Sequence, residues 1–310
     1  MKKQKKIVPC ARPFLKWAGG KTQLLNEFHK RLPEEIPTGK ITKYAEPFIG
    51  GGAFFVLLNQ KYSFEHCMIC DVNEELILTY EVIKKTVEPL IENLGILESD
   101  YLSKDQRNRE LLYYEIRNAF NRKLPGSNFQ RFNPEWIVLA AWIIFLNRTC
   151  FNGLFRVNRK GEFNVPFGKY KNPKICNADN LKDVSALLKA TCIESGDFTK
   201  VRTFVDDTSF VYFDPPYRPL NQTSSFTSYS KNGFFDADQV RLVQFFKELD
   251  KKGAKIMLSN SDPQNHNPDD TFFEDHFSDY TIERVPATRM INSDGARRGK
   301  INELIITNYR

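Results

Sequence analysis

The sequence predicts an α/β fold, in which seven strands alternate with helices to form a mostly parallel sheet and a mainly helical insertion carries a β-hairpin. Three observations predict it. Short apolar runs rich in β-branched and aromatic residues recur between helical patterns, as buried parallel strands do. Two of these runs end abruptly in special turns, Pro47-Phe-Ile-Gly-Gly-Gly-Ala53 and Asp214-Pro-Pro-Tyr217. Between those turns, residues 76–176 carry helical periodicity followed by a basic hairpin signal.

The elements follow in order. Behind a basic tail, Met1-Lys-Lys-Gln-Lys-Lys6, any apolar stretch is interrupted by Pro9, Arg12, Pro13 and Lys16, so no secretory leader is expected. Gly19-Gly20-Lys21-Thr22 opens an amphipathic helix expected to run to about Leu32. It is not a P-loop, because Leu15 stands where the first glycine belongs and no strand precedes it. A glycine pair ahead of a helix still lets backbone N–H groups and a lysine approach an anionic ligand.

A strand over Ile41–Glu46, the glycine turn and a helix over Phe54–Leu58 make the pattern of a dinucleotide-type phosphate or adenosine loop. Phe55 replaces the third glycine of the strict fingerprint, which argues against a standard NAD site. The next strand, Cys67–Cys70, ends in Asp71, 21 residues after Gly50. An acid at that distance is placed to hold a ribose hydroxyl pair.

From Val72 to about Arg122 the pattern is helical, with Leu76, Tyr80 and Ile83 on one face and later Leu111, Tyr114 and Ile116. Residues 123–134 read as a loop, and Trp136–Leu146 as a strongly apolar helix. Charge is distributed unevenly. Residues 76–147 hold nine basic and nine acidic side chains. Residues 148–174 hold seven basic ones (Arg148, Arg156, Arg159, Lys160, Lys169, Lys171, Lys174) against Glu162 alone, most of the chain's formal +7. Such a stretch suits a polyanion. Alternation around Arg159-Lys-Gly161 adds a β-hairpin, and a basic hairpin with aromatics suits a DNA groove.

Further strands are expected over Thr191–Glu194, Phe210–Asp214 and Lys255–Ser259, with a helix over Asp238–Leu249 whose face is Val240, Val243 and Phe246. Thr281–Val285 and Asn302–Thr307 form a terminal antiparallel pair. Six irregularly spaced cysteines suggest reduced thiols, and no apolar run approaches a membrane span, so a soluble, cytoplasmic protein is expected. Cys67-Met-Ile-Cys70 follows His66, but no second pair occurs at zinc-finger spacing, and no metal is expected.

The chemistry concentrates at Asp214-Pro-Pro-Tyr217. Two prolines cannot donate backbone hydrogen bonds, so the strand stops there. A carboxylate, a proline carbonyl and an aromatic ring are then presented at a strand's carboxyl end, where ligands bind in open α/β sheets. This group could hold a planar amine between two acceptors beneath a ring.

Taken together and in this order, the motifs resemble the Dam-type DNA adenine-N6 methyltransferases, which use S-adenosylmethionine. The resemblance runs through Phe14-Leu-Lys-Trp-Ala-Gly-Gly-Lys21, Glu46-Pro-Phe-Ile-Gly-Gly-Gly52, Asp71-Val-Asn73, Asn147-Arg148, Phe151-Asn-Gly-Leu154, Arg156, Gly161-Glu-Phe-Asn-Val-Pro-Phe-Gly168, Asp214-Pro-Pro-Tyr217 and Leu258-Ser-Asn260. It implies a Rossmann-like methyltransferase sheet. The catalytic domain would comprise residues 1–75 and 177–310, with a target-recognition domain at 76–176.

The resemblance implies site residues as well. Asp214, Pro215, Pro216 and Tyr217 would be catalytic. Trp17, Lys21, Asp71 and Asp214 would contact S-adenosylmethionine, Phe48, Gly50 and Gly52 would form the loop beneath its methionine part, and Asp197 and Phe198 would meet its adenine. Lys16, Phe151, Asn152, Leu154, Arg156 and Pro166 would face duplex DNA, with GATC as the target and Arg156 on a guanine edge. Phe151 stands where the GATC-reading branch commonly has tyrosine, which keeps the ring and loses the hydroxyl. The expected partner is double-stranded DNA, bound by a monomer, and a cognate restriction endonuclease is compatible with the family. A D-P-P-Y clamp also suits an adenine in RNA, the N4 amine of cytosine or, less well, a protein glutamine, and a non-catalytic DNA-binding protein is the alternative outside enzyme chemistry.

Overall fold

The computed structural model describes residues 10–17, 19, 21, 23–123, 128–129, 131–158, 160–218, 234–288 and 300–310. The basic tail Met1–Lys6, Gly20, Thr22, Arg159 and much of the 123–134 loop lie outside the described residues. The chain divides into two compact units. One comprises Met1–Gly20, Gly50–Lys61 and Asn73–Ile193, and the other Lys21–Ile49, Tyr62–Val72 and Glu194–Arg310.

The strands are β1 (Lys43–Glu46), β2 (His66–Asp71), β3 (Thr191–Ser195), β4 (Ser209–Phe213), β5 (Lys255–Ser261), β6 (Thr281–Thr288) and β7 (Lys300–Thr307). They form one seven-stranded sheet in the order β3-β2-β1-β4-β5-β7-β6. β1 runs parallel to both β2 and β4, and β4 parallel to β5. β7 is antiparallel to β5 and β6, the terminal pair read from the sequence. Going outward from β1, the chain builds β2 and β3 on one side and, later, β4 and β5 on the other. The boundary between β1 and β4 is therefore the sheet's topological switch point, where doubly wound sheets bind ligands beyond the carboxyl ends of the strands. Pro47 follows one of these strands and Asp214 the other.

β4 is buried at every position, as expected of a central parallel strand. Its core partners include Phe245, Phe246 and Leu249 of helix α8 (Asp236–Lys251), with Ile256 and Leu258 of β5 and Leu304 and Ile306 of β7. α8 buries Gln239, Leu242, Val243, Phe245, Phe246 and Leu249, so of the expected face Val243 and Phe246 are buried and Val240 is only half-buried. Cys67 and Cys70 are buried on β2. Three positions apart on a strand, their side chains leave opposite faces, the wrong arrangement for a shared metal.

The helical pattern of residues 72–122 resolves into α3 (Glu74–Lys85), α4 (Val87–Ser103) and α5 (Gln106–Lys123). The first break has a local cause: a helix continuous through Pro89 would drive its ring into the carbonyl of residue 85. The chain leaves helical geometry at Thr86 (φ −144°, ψ 50°). α5 buries Tyr113, Ile116 and Phe120, whereas Leu111, expected on the apolar face, is exposed. α6 (Glu135–Thr149) packs against α3, α4 and α5 and buries residues from Trp136 to Thr149. α7 (Ala178–Leu188) has no counterpart among the predicted elements, although Leu181, Val184 and Leu188 recur at helical spacing. The first predicted helix is shorter than expected, Leu25–Lys30 (α1), and the chain then meets Pro33. α2 (Ala53–Lys61) follows the glycine turn, and the short α9 spans Phe272–His276. Among the described residues no helix is long and apolar enough to cross a membrane.

Candidate active site

In the second unit, the residues beyond β4 form a buried polar cluster. Asp214 Oδ1 is 2.7 Å from Lys21 Nζ and accepts a hydrogen bond from Ser259 Oγ at 3.1 Å. The Ser259 hydroxyl is in turn 2.8 Å from that of Tyr212. Lys21 Nζ also donates to the Tyr217 hydroxyl and lies 4.2 Å from that ring's centroid. The Tyr217 hydroxyl donates in turn to Glu303 Oε2, 2.9 Å away, and Glu303 is 3.7 Å from Lys21. One ammonium thus sits between two carboxylates and a phenol.

Electrostatics agree with that arrangement. Burial works against the Lys21 charge, but Asp214, Tyr217 and Glu303 outweigh it and raise the lysine's pKa above its ordinary value. Burial raises the Tyr217 phenol, with Lys21 opposing, so the ring stays neutral and able to donate. Burial also raises Glu303, again against Lys21.

The Pro-Pro turn is held from both sides. Gln239, buried on α8, donates to the Pro216 carbonyl at 3.1 Å, and Pro215 is itself buried. Arg218, directly after Tyr217, pairs with Asp236 (2.8 and 3.0 Å) and Asp270 (2.8 and 2.6 Å) and covers the Phe272 ring. Glu303 and Arg218 were not among the predicted residues. The legible signal for Glu303 is an acid where the pattern of β7 calls for an apolar side chain, between Ile301 and Ile305 on one face.

The remaining candidates of this unit line the ends of β1, β2 and β3. Asp71 is half-buried at the end of β2, and its carbonyl accepts from Gly196 N–H at 2.9 Å. Phe48 stacks on Phe198 with centroids 5.5 Å apart. Asp197 caps the 3-10 turn Phe198–Thr203 through Thr199 and pairs with Arg241 at 2.9 Å, so its carboxylate is engaged locally.

In the first unit, Gly50 and Gly52 adopt left-handed backbone (φ 46° and 67°). A Cβ on Gly50 would stand 2.9 Å from Trp17 Cδ1, so the turn and the indole fit only because this position is glycine. Trp17 stacks on Phe155 at 5.3 Å. The Asn147 side chain, fully buried, accepts from Lys16 N–H (2.9 Å) and donates to the carbonyls of Lys16 (2.9 Å) and Gly153 (3.0 Å). It thereby ties the Lys16-Trp17 segment to the turn Phe151–Gly153.

That turn opens the hairpin, which consists of the antiparallel bridges Cys150↔Phe167 and Val157↔Phe163. Its aromatics and its charges separate by face. Phe155, Phe163 and Phe167 are core, whereas Phe151, Asn152, Arg156 and Pro166 are exposed and Leu154 is half-buried. Phe151 N–H donates to the Pro166 carbonyl at 2.8 Å, which sets those two candidates side by side. Asn152 takes φ 57°, a conformation asparagine tolerates better than most residues. Arg156 Nε donates to Asn164 Oδ1 at 2.9 Å.

Of the basic residues counted in 148–174, Lys160, Lys169, Lys171 and Lys174 are exposed with Arg156. Arg148 is not part of that surface. It donates to the Phe14 carbonyl at 2.6 Å, and burial lowers its pKa. In compensation, Arg117 and Arg122 of α5 line a polar cleft with Asn121, Asn158 and Asn164, a contribution hidden by the charge balance of 76–147.

Gly168 closes the hairpin, with its N–H donating to the Thr149 carbonyl at 2.8 Å. An added Cβ would meet Cys150 O at 2.6 Å. Gly168→Ala is expected to destabilise the protein by about 1–3 kcal/mol, measured by urea unfolding. An unchanged midpoint would show that the turn relaxes freely.

Comparison with known proteins follows this geometry. Residues 17–291 match the family model described as D12 class N6 adenine-specific DNA methyltransferase. The chain is 52% identical over 299 residues to the Type II methyltransferase M.MjaIII of Methanocaldococcus jannaschii, covering 96% of this chain and 99% of that protein. It is 42% identical over 301 residues to the Type II methyltransferase M1.LlaDCHI of Lactococcus lactis subsp. cremoris (96% and 95%). It is 35% identical over 295 residues to the DNA adenine methylase of Haemophilus influenzae (95% and 92%). These matches favour adenine in DNA over RNA, cytosine N4 or a protein side chain. A chain that matches the family over most of its length, and sets Asp214, Pro215, Pro216 and Tyr217 at the switch point of its sheet, belongs to the D12 class of N6 adenine-specific DNA methyltransferases.

Proposed function

We propose that the chain methylates N6 of an adenine turned out of duplex DNA, within GATC, using S-adenosylmethionine. The observation that carries this reading is the state of Asp214. Its Oδ1 is taken by Lys21 and Ser259, and among the described residues Oδ2 has no partner. Oδ2 is then the acceptor for one N6 hydrogen, and the Pro215 carbonyl for the other. The N6 lone pair is delocalised into the purine. Two acceptors on its hydrogens favour a more tetrahedral nitrogen with that lone pair available. Tyr217, pinned at its hydroxyl, covers the ring, which must leave the duplex to be reached.

The residues fit the methyl donor. The glycine turn takes the left-handed backbone of a close-approach loop with Gly50 packed against the Trp17 indole, Lys21 is a buried ammonium suited to a carboxylate, and Asp71 is a half-buried acid at a strand end suited to a ribose. Trp17, Lys21, Phe48, Gly50, Gly52, Asp71 and Asp214 are proposed to hold it. Phe198 supplies a ring for its adenine, and Asp197 acts there by positioning the 3-10 turn. Bound S-adenosylmethionine supplies the methyl group as a sulfonium substituent.

Residues 76–176 are proposed as the target-recognition domain, with 1–75 and 177–310 catalytic. Lys16, Phe151, Asn152, Leu154, Arg156 and Pro166 face the DNA, with Phe151 filling the stack beside the displaced base and Arg156 on a guanine. The Type II names of two relatives support a partner restriction endonuclease, and the chain is proposed to act as a monomer in the cytoplasm. Expression in a host lacking adenine methylation tests the reading. DNA from it should be cut by the GATC nuclease that requires methylation and resist the one that methylation blocks, and unchanged digestion by both would remove GATC from the proposal.

Arg156→Ala is expected to cost about 1–3 kcal/mol of discrimination at one guanine. The measurement is kcat/KM on the cognate duplex against duplexes substituted at each guanine. Equal loss on all of them would reassign Arg156 to backbone contact.

A further inference from the structure

We propose that Glu303 is a positioning residue for methyl transfer, which holds the Tyr217 ring in place through its hydroxyl and steadies Lys21 beside Asp214. The inference rests on the reading of Asp214 and Tyr217 just given and adds a group from the far end of the chain. Glu303 stands on β7 opposite Ser261 of β5 and Val285 of β6, so its backbone is fixed by ladders on both sides. A carboxylate only 8% exposed is costly in a sheet core unless it is paired. Here it accepts the Tyr217 proton at 2.9 Å and stands 3.7 Å from Lys21 Nζ.

The consequence is a ring held at both ends. Arg218 clamps the backbone directly after Tyr217, while Glu303 and Lys21 hold its hydroxyl. A tyrosine fixed only at its backbone can swing about χ1 and χ2, and a stacking surface that swings no longer orders the target base. Glu303 also shares the ammonium, so Lys21 is kept between two acids rather than drawn onto Asp214 alone.

A double-mutant cycle with full-length protein tests this. The variants are Glu303→Ala, Glu303→Gln, Tyr217→Phe and the Glu303→Ala/Tyr217→Phe pair. The probe is a duplex that the wild type methylates, and a second copy carries 2-aminopurine at the target position. Glu303→Ala is expected to lower kcat about 10- to 100-fold with KM for the duplex nearly unchanged. The bound 2-aminopurine should fluoresce more strongly than with wild type, because its stacking partner is looser. Glu303→Gln, which still accepts the phenol proton, should recover part of kcat. In the Tyr217→Phe background, removing Glu303 should cost less than about 3-fold, since the hydroxyl it acts through is gone.

Equal losses in both backgrounds would overturn the proposal. So would a Glu303→Ala protein that melts earlier yet keeps wild-type kcat and fluorescence while folded. A wild type that methylates no duplex would instead overturn the functional reading itself.

Discussion

Replacing Asp214 with alanine is expected to lower kcat for methyl transfer on the order of 10³-fold, while affinity for the duplex is largely retained. The asymmetry follows from where the carboxylate stands. It is partly exposed beyond the end of β4, whereas the proposed DNA-facing side chains belong to the hairpin and to Lys16. Phosphate and groove contacts set duplex affinity, and in the proposed arrangement Asp214 makes neither. Asparagine is the sharper test, because it keeps the shape. Lys21 and Ser259 both donate to Oδ1. The amide oxygen must therefore face them, which turns its N–H₂ toward the N6 hydrogens. A donor then opposes a donor, and Asp214→Asn should also lose at least about 10²-fold. Single-turnover transfer of labelled methyl, alongside fluorescence anisotropy of the duplex, separates the two quantities. An asparagine variant with near-normal turnover would show that Oδ2 is not the acceptor.

Much of this site was legible because its residues break local rules. Two prolines after a buried strand, and three glycines between a strand and a helix, have no ordinary place in an α/β core, and each marks one of the strands that meet at the switch point. The mostly parallel character of the sheet and its closing antiparallel pair followed from element alternation, and the hairpin from alternation around Gly161, whereas the strand order came only with the fold. What stayed hidden depends on tertiary context. Arg148 counts as basic in any tally of charge, yet its guanidinium is spent on the Phe14 carbonyl, 134 residues away in sequence. Arg117 and Arg122 were masked by acids elsewhere on the same helices. Glu303 is an acid between Ile301 and Ile305 on one face of its strand, and its meaning depends on Tyr217, 86 positions earlier. The missed helix α7 is different in kind. Leu181, Val184 and Leu188 signalled it locally, so the omission was of pattern rather than of information.

Lys21→Met should have the largest effect on stability, and its sign with pH is fixed by the two acids left behind. In the wild type the ammonium's pKa is raised in the fold. Its stabilisation is therefore fully present below the ordinary lysine value and is lost only as pH rises through the folded one, so it holds throughout neutral conditions. Removing it leaves Asp214 and Glu303 facing each other across a buried gap, at a cost of about 3–5 kcal/mol near neutral pH. The Glu303 carboxyl, already raised by burial against the pull of Lys21, would be raised further. A raised acid destabilises the fold as pH climbs from its unfolded value, about 4.5, through its folded one. The stability gap between variant and wild type should accordingly widen between about pH 5 and pH 8, as read by urea unfolding at both ends. A gap independent of pH would mean that the two carboxylates do not feel the loss. Because the variant folds best on the acid side, methyl transfer is best measured near pH 6 in protein shown to be folded. Activity absent there would come from the site and not from unfolding, since the ammonium proposed to meet the donor's carboxylate is the one that holds Asp214 Oδ1 and the Tyr217 hydroxyl in place.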